Sequence, residues 1–510
     1  MTTFSTFDRT TFDLHGLPAA RGPRYQRLYL QLRDAVLDGR LAAGARLPGT
    51  RTLARELGVS RIVVLMAYEQ LAAEGYISSK IGSGSRVALQ SARLSWVAAR
   101  SGGEPKADGP VSVYARHARK LVAGAEPADR PAPPGDIVDF RFTNCVPDAR
   151  TLLLWRQAVT RAAASPQIDY PVAAGHQRLR RALAVILREH RGVRTEPDDI
   201  LVVNGSQQGV DLIIRVLCDR GDRIGIEDPH YPGVRNAFLA AGLHLVPCPV
   251  DDQGLEIERH AKRLSGSRMV WVTPSRQFPT GSVMSIERRL QLLDWSARND
   301  VWVVEDDYDC EFQHGVGQIP ALQGLGAQGR VLYLGSFART LFPALRVGYL
   351  AVPPGLRETF RSAKWLADRG TAPLEQRALG DFIRSGAYES SRRRSARRLI
   401  EKSRLLREQL RERFHEAELA LWGPASGLHQ FLQFRRLRSK DEQGLLDHAL
   451  RCGVRAFPAR PYHLLEPKHA AVVLGYARVS ERDIIRGVER LARAYRSLAE
   501  APAARVRKGR

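Results

Sequence analysis

The stretch YLGSFARTLFPALRVGYL, residues 333–350, starts in an apolar run of β type and then carries Arg339 and Arg346. Similar short runs recur from residue 137 onward, separated by amphipathic helical segments: DILVVNG, RIGIED, MVWVTP, VWVVEDD and RVLYLGS. Short buried runs that alternate with helical patterns indicate a largely parallel sheet with helices on both faces. The pattern predicts a large α/β domain that contains this stretch.

The composition is that of a globular protein with an excess of positive charge. A chain of 510 residues is too long for one ordinary domain and predicts at least two. Hydrophobic residues at 44% and charged residues at 26% exclude an intrinsically disordered chain. The 78 basic against 54 acidic side chains give a charge of +24, which favours a polyanionic partner, nucleic acid before membrane. Charge alone leaves open the alternative that most of it is merely solvated.

Cysteine usage and hydropathy indicate the compartment. The five cysteines are scattered, odd in number and never paired as CxxC: Cys145, Cys218, Cys248, Cys310 and Cys452. This argues for a reducing compartment, without structural zinc or a disulfide framework. The polar start MTTFSTFDRTTFDLHG and the absence of a long apolar run predict neither a secretory signal nor a membrane span. We therefore expect a cytoplasmic protein.

Residues 22–90 are compact, helical and basic. A helix from about Thr50 to Leu57 ends at Gly58, which suits the left-handed position of a tight turn. Ser60 can then cap a second helix that runs to about Ala72. Apolar residues at helical spacings form the predicted core: Leu28, Leu32, Val36, Leu53, Leu57, Val64, Tyr68 and Leu71. Two helices joined by a Gly-containing turn describe a helix-turn-helix, whose second helix enters the major groove.

The segments GYI and SSKIGSGSRV predict a two-stranded wing after the second helix. Its side chains that would meet phosphates or a minor groove are Lys80, Ser83, Ser85 and Arg86. Together with GRLAAGARLPGTRTLARELGVSR and AYEQLAAEGY, the region resembles the winged-helix domain of the GntR superfamily. The resemblance implies DNA contacts by Arg51, Ser60 and Arg61, with Gly82 and Gly84 letting the wing approach closely.

The second helix of this motif departs from the family pattern. Ile62 and Val63 follow Ser60 and Arg61, where the family usually has polar residues that reach base edges. Apolar groups can contact a thymine methyl but cannot make bidentate hydrogen bonds. We expect DNA binding and leave the operator sequence open. Ordinary solvated helix charge is the alternative interpretation of Arg51 and Arg61.

Residues 91–136 contain SGGEPKADGP and AEPADRPAPPGD, which are rich in Pro, Gly and Ala. This composition cannot bury a core and predicts a flexible or partly extended linker. The apolar and basic stretch VYARHARKLV inside it can form a transient helix. The linker separates the winged helix from a larger domain at residues 137–498.

Two motifs of the larger domain have a physical interpretation of their own. VVNGSQQGVDLII places Gly205, Ser206 and Gln207 where a strand ends and a helix begins, which is a suitable anion site. A simple capped helix is the alternative there. In VVEDDYDCEF, four β-type residues lead into Asp306. A buried carboxylate is therefore favoured over a solvated acidic turn.

The larger domain resembles fold type I pyridoxal-phosphate enzymes, the aminotransferase fold, through these motifs and through SFARTLFPALRVGY, GLHQFL and VLGYA. Joined to a GntR-type winged helix, it resembles the MocR family of regulators. That resemblance implies a two-fold homodimer and a pyridoxal 5'-phosphate pocket. The implied cofactor-binding residues are Ser206, Gln207, Tyr231, Asp306, Tyr308, Ser336, Arg339, Arg346 and Tyr170.

The roles that the resemblance implies differ along the pocket. Tyr231 would stack on the pyridine ring, Asp306 would face the protonated pyridine nitrogen, and Tyr308 would hydrogen-bond the phenolic oxygen. Arg346 would bind the phosphate as a fixed cation. Tyr170 would reach the phosphate bound by the partner subunit.

Arg339 stands where the family has the lysine that forms an imine with the cofactor aldehyde, seven residues before Arg346. A guanidinium stays protonated, has no free nucleophilic lone pair and forms no stable imine. It also cannot act as the general base of transamination. Lys364 belongs to a separate helical segment and does not replace the lysine. We therefore expect no transaminase activity and no catalytic residue.

Two further positions depart from the family pattern. Arg276 stands where histidine is favoured, and Val473 stands where members that bind amino-acid carboxylates carry an arginine. The preferred interpretation is a MocR-type DNA-binding transcription regulator with a degenerate pocket. That pocket would sense non-covalent pyridoxal phosphate, or another small anion beside Arg339 and Arg276.

Two alternative functions stay open. One is an active aminotransferase with an accessory DNA-binding domain, and the other is a constitutive DNA-binding dimer with a purely structural large domain. The expected partners are operator DNA in the nucleoid, a second copy of the chain and a small effector, with no membrane and no metal. The sequence does not determine the operator, the target genes, the direction of regulation or the effector.

Overall fold

The structure, a computed structural model, describes residues 23–80, 84–88, 109–123, 135–142, 146–165, 167–309, 320–326 and 329–499. The chain divides into two compact units, Met1–Val111 and Ser112–Arg510. Several predicted features lie outside the described part: Gly82 and Ser83 of the wing, the side chain of Lys80, and the cysteines at 145 and 310.

The first unit contains three helices and a hairpin. Their bounds are α1 Arg24–Leu37, α2 Thr50–Glu56, α3 Arg61–Ala73, β1 Ile77–Lys80 and β2 Gly84–Val87. Gly58 adopts a φ of +62° between α2 and α3, so the turn uses the left-handed conformation that glycine permits. The two strands pair antiparallel, with Ile77 opposite Val87. The predicted helix-turn-helix and wing are confirmed.

One small apolar core holds this unit together. Of the residues predicted for it, Leu57 is partly buried and the others are fully buried. The hydroxyl of Tyr68 donates a hydrogen bond to the carbonyl of Pro48 at 3.0 Å, which ties α3 to the segment before α2. Ser60 occupies the N-cap position of α3, but the prediction that its side chain caps the helix is wrong. Its exposed hydroxyl makes no hydrogen bond to the first turn.

A helix, α4 Val113–Val122, lies within the predicted linker. The hydroxyl of Ser112 caps it by accepting a hydrogen bond from the backbone N–H of Ala115 at 3.1 Å. The side-chain amide of Asn236 donates to the carbonyl of Leu121 at 3.3 Å, so α4 packs against the rest of the second unit. The stretch VYARHARKLV is therefore helical, and the flexible character of the rest of the linker stays a prediction.

An eight-stranded sheet forms the centre of the second unit, with the order β4-β11-β10-β9-β8-β5-β6-β7. The strands are β4 Ile200–Val203, β5 Arg223–Asp228, β6 His244–Asp251, β7 Gly254–Leu255, β8 Ser267–Val272, β9 Trp302–Asp307, β10 Val331–Ser336 and β11 Gly348–Ala351. β11 is antiparallel to both of its neighbours, and β7 is antiparallel to β6. The remaining pairs are parallel, which confirms the predicted, mainly parallel sheet.

Helices cover both faces of this sheet. They are α5 Ala149–Ala163, α6 Gln177–Arg191, α7 Ser206–Leu217, α8 Pro232–Ala240, α9 Ile257–Leu264, α10 Ile286–Arg298, α11 Leu322–Leu325, α12 Arg357–Asp368 and α13 Pro373–Arg384. Alternate residues of β4 belong to different cores, Ile200 and Val202 to one and Leu201 and Val203 to another. Because side chains alternate across a strand, apolar residues at every position require cover on both faces.

A second, smaller layer follows in the chain and contains a four-stranded sheet of order β12-β13-β16-β15. Its elements are α14 Ala387–Arg413, β12 Leu419–Trp422, β13 His429–Arg438, α15 Glu442–Arg451, β15 Phe457–Pro458, β16 His469–Gly475 and α16 Glu481–Ala499. β14 Val454–Arg455 pairs with β3 Val138–Asp139, so the segment that begins the large domain returns to this layer.

Three observations concern the expected compartment and metal content. Cys218, Cys248 and Cys452 are free thiols. Within the described ranges, no helix combines the length and apolarity that crossing a bilayer requires. The same ranges contain no cluster of three or more His, Cys, Asp or Glu side chains suited to a metal ion.

Candidate functional site

An anion cradle lies where β4 ends and α7 begins. Gly205 has a φ of +76° and precedes Ser206, the first residue of α7. The guanidinium of Arg346 lies over this turn, and one of its nitrogens donates to the carbonyl of Asn204 at 3.0 Å. A Cβ added at Gly205 would lie 2.9 Å from the guanidinium carbon. The first N–H groups of a helix lack intrahelical partners, so this cation and this helix end can together bind an anion.

Strand pairing explains why Arg346 reaches that turn. Gly348 pairs with Val203 across β11 and β4, which brings the residues just before β11 beside the residues just after β4. Arg346 itself is left-handed, with a φ of +50°. A Cβ at Gly348 would lie 3.0 Å from the backbone nitrogen of Ser206, so glycine is needed for the close approach.

The cradle continues into the turn before α8. The side-chain amide of Gln207 donates to the carbonyl of Gly233 at 3.1 Å, so Gln207 holds α7 against α8. A Cβ at Gly233 would lie 2.4 Å from the ring of Tyr231, which packs over that glycine. Tyr231 is partly exposed, and its ring meets Phe278 edge to face with centroids 5.5 Å apart. Tyr231 thus offers a face beside the cradle.

Phe278 is the centre of an aromatic cluster that joins several segments of the chain. It contacts the rings of Tyr231, Tyr308, Tyr462 and Phe142, with centroids 5.3–5.7 Å apart. His429 also packs against it, at 5.6 Å. Sequence reasoning identified two of these rings and missed Phe142, Phe278 and Tyr462, because nothing in the local sequence signals that they converge.

Asp306, at the carboxyl end of β9, is buried with 8% of its surface exposed. Burial raises its pKa to about 7, while Trp271 and the positive charge of Arg339 act in the opposite direction. Glu305, Asp307 and Asp309 around it are buried as well. Burial of the four carboxylates of this motif that the structure describes is incompatible with a solvated acidic turn.

The carboxylates on either side of Asp306 have a different role from Asp306 itself. Asp307 accepts a hydrogen bond from Arg191 at 2.9 Å and another from the hydroxyl of Tyr333 at 2.5 Å. Glu305 accepts the backbone N–H groups of Leu322 and Gln323, both at 2.9 Å. These two carboxylates stabilise the fold, whereas Asp306 points to the other face of the strand.

Tyr308 presents a buried hydroxyl that no donor or acceptor among the described residues satisfies. Burial and the nearby carboxylate of Asp309 raise its pKa well above the ordinary tyrosine value. An unsatisfied buried hydroxyl costs free energy until a partner supplies the hydrogen bond. A ligand oxygen near Asp306 and Phe278 would supply it.

Arg339 lies on the ring of Phe142, with its guanidinium carbon 4.3 Å from the ring centroid. Its charge lowers the pKa values of Asp306, Tyr308 and Asp309, in each case as a smaller effect than burial. The cation therefore lies beside the group formed by Asp306 and Tyr308. Ser336 is half-buried nearby in the chain, and its hydroxyl accepts the N–H of Ala338 at 3.1 Å.

Arg276 is engaged by the protein itself. Its guanidinium donates to the hydroxyl of Ser426 and to the carbonyl of His429, both at 2.9 Å, and lies 3.3 Å from a carboxylate oxygen of Asp309. A Cβ at Gly427 would lie 2.3 Å from the same guanidinium, so Gly427 packs directly against it. These contacts weaken the expectation that Arg276 binds a small anion.

Three other positions named in the sequence analysis, Val473, Lys364 and Tyr170, have different surroundings. Val473 is buried in a small apolar cluster with Phe431, against which Tyr462 packs. The amine of Lys364 is buried and bonded to Asp368 at 2.5 Å and Thr371 at 2.9 Å. Tyr170 is 82% exposed beside Arg369, 5.9 Å from its guanidinium carbon, and its reach toward a partner subunit stays a prediction.

The residues present fit a phosphorylated pyridine aldehyde in part. The cradle at Gly205 and Arg346 suits the phosphate, Asp306 suits a ring nitrogen, and the unsatisfied hydroxyl of Tyr308 suits a phenolic oxygen. Position 339 carries a guanidinium in place of an amine. Non-covalent binding therefore fits the side chains, and covalent attachment through residue 339 does not.

A second candidate site lies on the first unit. Ser60, Arg51 and Arg61 are exposed at the start of α3 and on α2. Arg86 is exposed on β2 and also donates to the carbonyl of Gly44 at 3.0 Å. Sequence reasoning missed Arg46, whose exposed guanidinium lies 3.5 Å from the position of a Cβ at Gly84. An exposed basic face on a helix-turn-helix and its wing is suited to DNA phosphates.

The chain matches two protein families over separate regions. Residues 143–491 match "Aminotransferase class I and II", and residues 24–87 match "Bacterial regulatory proteins, gntR family". Both regions agree with the units that the structure shows.

Individual relatives match over most of the chain. The "Probable rhizopine catabolism regulatory protein MocR" of Rhizobium meliloti is 36% identical over 93% of this chain and 94% of its own. The pyridoxine biosynthesis transcriptional regulator PdxR of Corynebacterium glutamicum is 32% identical over 75% of this chain and 78% of its own.

Among solved structures, the α-aminoadipate aminotransferase LysN of Thermus thermophilus superimposes with a TM-score of 0.63. It is 26% identical, and the match covers 79% of this chain and 99% of that one. The chain therefore belongs to the MocR-type regulators, which join a GntR helix-turn-helix to a fold type I aminotransferase-like domain.

Proposed function

We propose that the protein is a DNA-binding transcription regulator whose aminotransferase-like domain senses a small anionic ligand without covalent attachment. The observation that carries this proposal is a pocket with an anion cradle, a buried carboxylate and a tyrosine hydroxyl that no described residue satisfies, but with Arg339 at the family's lysine position. Non-covalent pyridoxal phosphate is the first ligand to test. Its phosphate, ring nitrogen and phenolic oxygen correspond to Arg346, Asp306 and Tyr308.

The division of labour follows the predicted domains, residues 22–90, 91–136 and 137–498. The first would bind operator DNA, the second would tether it, and the third would bind the effector and form a homodimer. Two tethered DNA-binding modules gain affinity through effective concentration, which depends on the reach of the linker. A ligand that binds one dimer conformation more tightly would shift how the modules are presented to DNA.

Relatives and side chains both support a regulator over an enzyme. MocR and PdxR, which are similar to this protein over most of its chain, are named as regulators. The guanidinium of Arg339 stays protonated and is neither a nucleophile nor a base. Lys364 is held by Asp368 and Thr371, so its amine is committed to the fold. The DNA-bound regulator would act in the cytoplasm.

Two alternatives remain testable. The 2-aminoadipate transaminase of Thermus thermophilus, 29% identical over 65% of this chain, keeps open an active aminotransferase. A purely structural large domain has no need of the buried Asp306 carboxylate or of the unsatisfied Tyr308 hydroxyl, both of which carry a free-energy cost.

The test is ligand retention together with DNA affinity. Purified full-length protein is mixed with pyridoxal phosphate, desalted, and measured by absorbance and by mass after borohydride reduction. We expect retained ligand without a mass increase, and an altered affinity or bend of the operator complex. Retention with a mass increase and turnover of an amino acid would establish the enzyme, and no retention with unchanged DNA binding would favour the structural domain.

A further inference from the structure

The second helix of the helix-turn-helix exposes three apolar side chains. On α3, Ile62 is 66% exposed, Leu65 is 40% exposed and Met66 is 41% exposed. Their spacing of three and four residues places them on one face of the helix. Val63, which follows Ile62 in the sequence, instead packs partly against the core of the unit.

The core of the unit does not need these side chains. The opposite face of α3 is formed by Val64, Ala67, Tyr68 and Leu71, all buried against α1 and α2. Exposed apolar side chains that form a contiguous face usually mark a surface that a partner covers. The first two turns of this helix are the part of a helix-turn-helix that contacts base edges.

The charges around this face point to the partner. Arg61 is exposed at the first position of α3, and Arg51 and Arg55 are exposed on α2. Arg46 and Arg86 are exposed at the base of the wing. An apolar helix face in a unit that also exposes guanidinium groups on α2, on α3 and at the wing suits a groove that is lined by phosphates. Double-stranded DNA is therefore the occupant that we consider.

The chemistry of the face restricts which bases it can distinguish. Ile, Leu and Met side chains can neither donate nor accept a hydrogen bond to a base edge, apart from a weak thioether acceptor. The apolar group that a base pair presents in the major groove is the C5-methyl of thymine. Contact with that methyl buries apolar surface on both partners.

We propose that Ile62, Leu65 and Met66 recognise thymine methyl groups, so that α3 selects its operator half-site by apolar contact. The inference rests on the DNA binding proposed above and adds its specificity. Arg51 and Arg61 would position the helix on the backbone, and the apolar face would distinguish thymine from the other bases.

The experiment removes the methyl groups and nothing else. Full-length protein first selects binding sites from random duplexes, and each thymine of the selected site is then replaced by uracil. We expect weaker binding at a few positions only, by about fourfold for each methyl contacted. Ile62→Ala should bind the thymine duplex more weakly and lose the penalty for uracil at the position that Ile62 contacts.

A matched control is available on α1. Leu30 is also an exposed leucine of this unit, at 37%, and lies on a different helix. Leu30→Ala should keep the full sensitivity to uracil. Salt dependence of binding to a non-specific duplex should be the same for wild type and Ile62→Ala, because phosphate contacts are unchanged.

The outcomes separate the specificity from the function. Tight binding to the selected site with equal affinity for thymine and uracil duplexes would overturn the inference and leave DNA binding intact. Uracil sensitivity that persists in Ile62→Ala, Leu65→Ala and Met66→Ala would overturn it as well. Failure to bind any duplex, even at low salt, would overturn the DNA-binding function itself.

Discussion

The guanidinium carbon of Arg339 lies 4.3 Å from the centroid of the Phe142 ring. A cation placed over an aromatic face at this distance gains about 0.5–2 kcal/mol, so the contact restrains the arginine. Phe142 in turn packs against Phe278 and His429, with centroids at 5.6 Å and 4.8 Å. The cation is therefore part of the pocket wall and is held beside Asp306 and Tyr308.

Arg339→Lys should restore covalent attachment of pyridoxal phosphate. A lysine amine at this position can attack an aldehyde once it is deprotonated, whereas a guanidinium cannot. The measurement is the mass of the protein after incubation with the aldehyde, borohydride reduction and desalting. Arg339→Gln, which removes the charge but supplies no amine, is the matched control. Equal adduct formation in wild type and in the glutamine variant would show that another amine reacts.

Tyr308→Phe should leave the ligand-free protein as stable as wild type or more stable by about 1 kcal/mol, because it removes a buried hydroxyl that has no hydrogen-bond partner among the described residues. The same change should weaken pyridoxal phosphate binding by roughly three- to tenfold, the value of one lost hydrogen bond. Thermal denaturation and equilibrium dialysis measure the two effects.

Tyr495 provides the control for that experiment. Its hydroxyl is also buried without a described partner, but it packs in the core beneath the four-stranded sheet, against Phe434. Tyr495→Phe should change stability in the same direction and leave ligand binding unaltered. If both variants bind ligand like wild type, the Tyr308 hydroxyl has no part in the pocket.

Arg346→Gln should reduce affinity for pyridoxal phosphate by roughly tenfold to a hundredfold, because a charge-assisted hydrogen bond to the phosphate is lost. Pyridoxal, which lacks the phosphate, should bind both proteins equally. Competition by inorganic phosphate should be strong for wild type and weak for the variant. A similar loss for pyridoxal and its phosphate would mean that the variant disturbs the turn at Gly205, where the guanidinium packs.

Asp306→Asn should change how stability depends on pH. Burial raises the pKa of Asp306 to about 7 in the folded protein, against about 3.9 in an unfolded chain. Between these two pH values the folded state binds the proton more tightly than the unfolded state. Because of this group, the free energy of unfolding therefore decreases as pH rises from about 4 to about 7. The stability of the asparagine variant relative to wild type should therefore increase by on the order of 2–4 kcal/mol between about pH 4 and pH 8.

Denaturation midpoints of wild type and Asp306→Asn, measured at about pH 4 and pH 8, test this expectation. Asp294→Asn neutralises an exposed carboxylate that pairs with Arg298 on the surface of α10 and serves as the control. It should follow the wild-type profile. Parallel pH profiles for wild type and Asp306→Asn would contradict a protonated buried carboxyl at Asp306.

Arg61→Ala should weaken binding to all duplexes alike, since a phosphate contact carries no base information. The slope of log affinity against log salt concentration should decrease by about 0.9 for the one contact removed. Arg298→Ala, which removes an exposed arginine of the large unit, should leave the slope unchanged. A change of sequence preference in Arg61→Ala would instead assign this residue to a base edge.

Several parts of the fold were predictable because they depend on local patterns. The turn at Gly58 follows from a glycine between two apolar helical repeats, and it has the expected left-handed backbone. The strand from Trp302 to Asp307 follows from the apolar run Val301–Val304 that leads into it. The helix Val113–Val122 was harder to predict, because its surroundings are rich in Pro and Gly and its stability depends on contacts such as that between Asn236 and Leu121.

The pocket was predictable only where a motif carries it. Asp306 and Arg346 lie at strand ends that the sequence pattern identifies, and their burial or backbone conformation agrees with a functional position. Phe142 and Tyr462 belong to segments far apart in the chain, and no spacing rule connects them to Phe278. The engagement of Arg276 by Asp309 and His429 was hidden for the same reason.

By itself, the sequence determined the two units, the mainly parallel sheet, the basic helix-turn-helix and the arginine at position 339, because periodicity, turn residues and side-chain chemistry are local properties. Which cations lie beside the pocket, and which are paired with other groups of the protein, depends on the tertiary structure. Arg276 is enclosed by Ser426, His429 and Asp309, while Arg339 lies on Phe142. The local sequence does not distinguish these two arginines, and only the packing of distant segments gives them different partners.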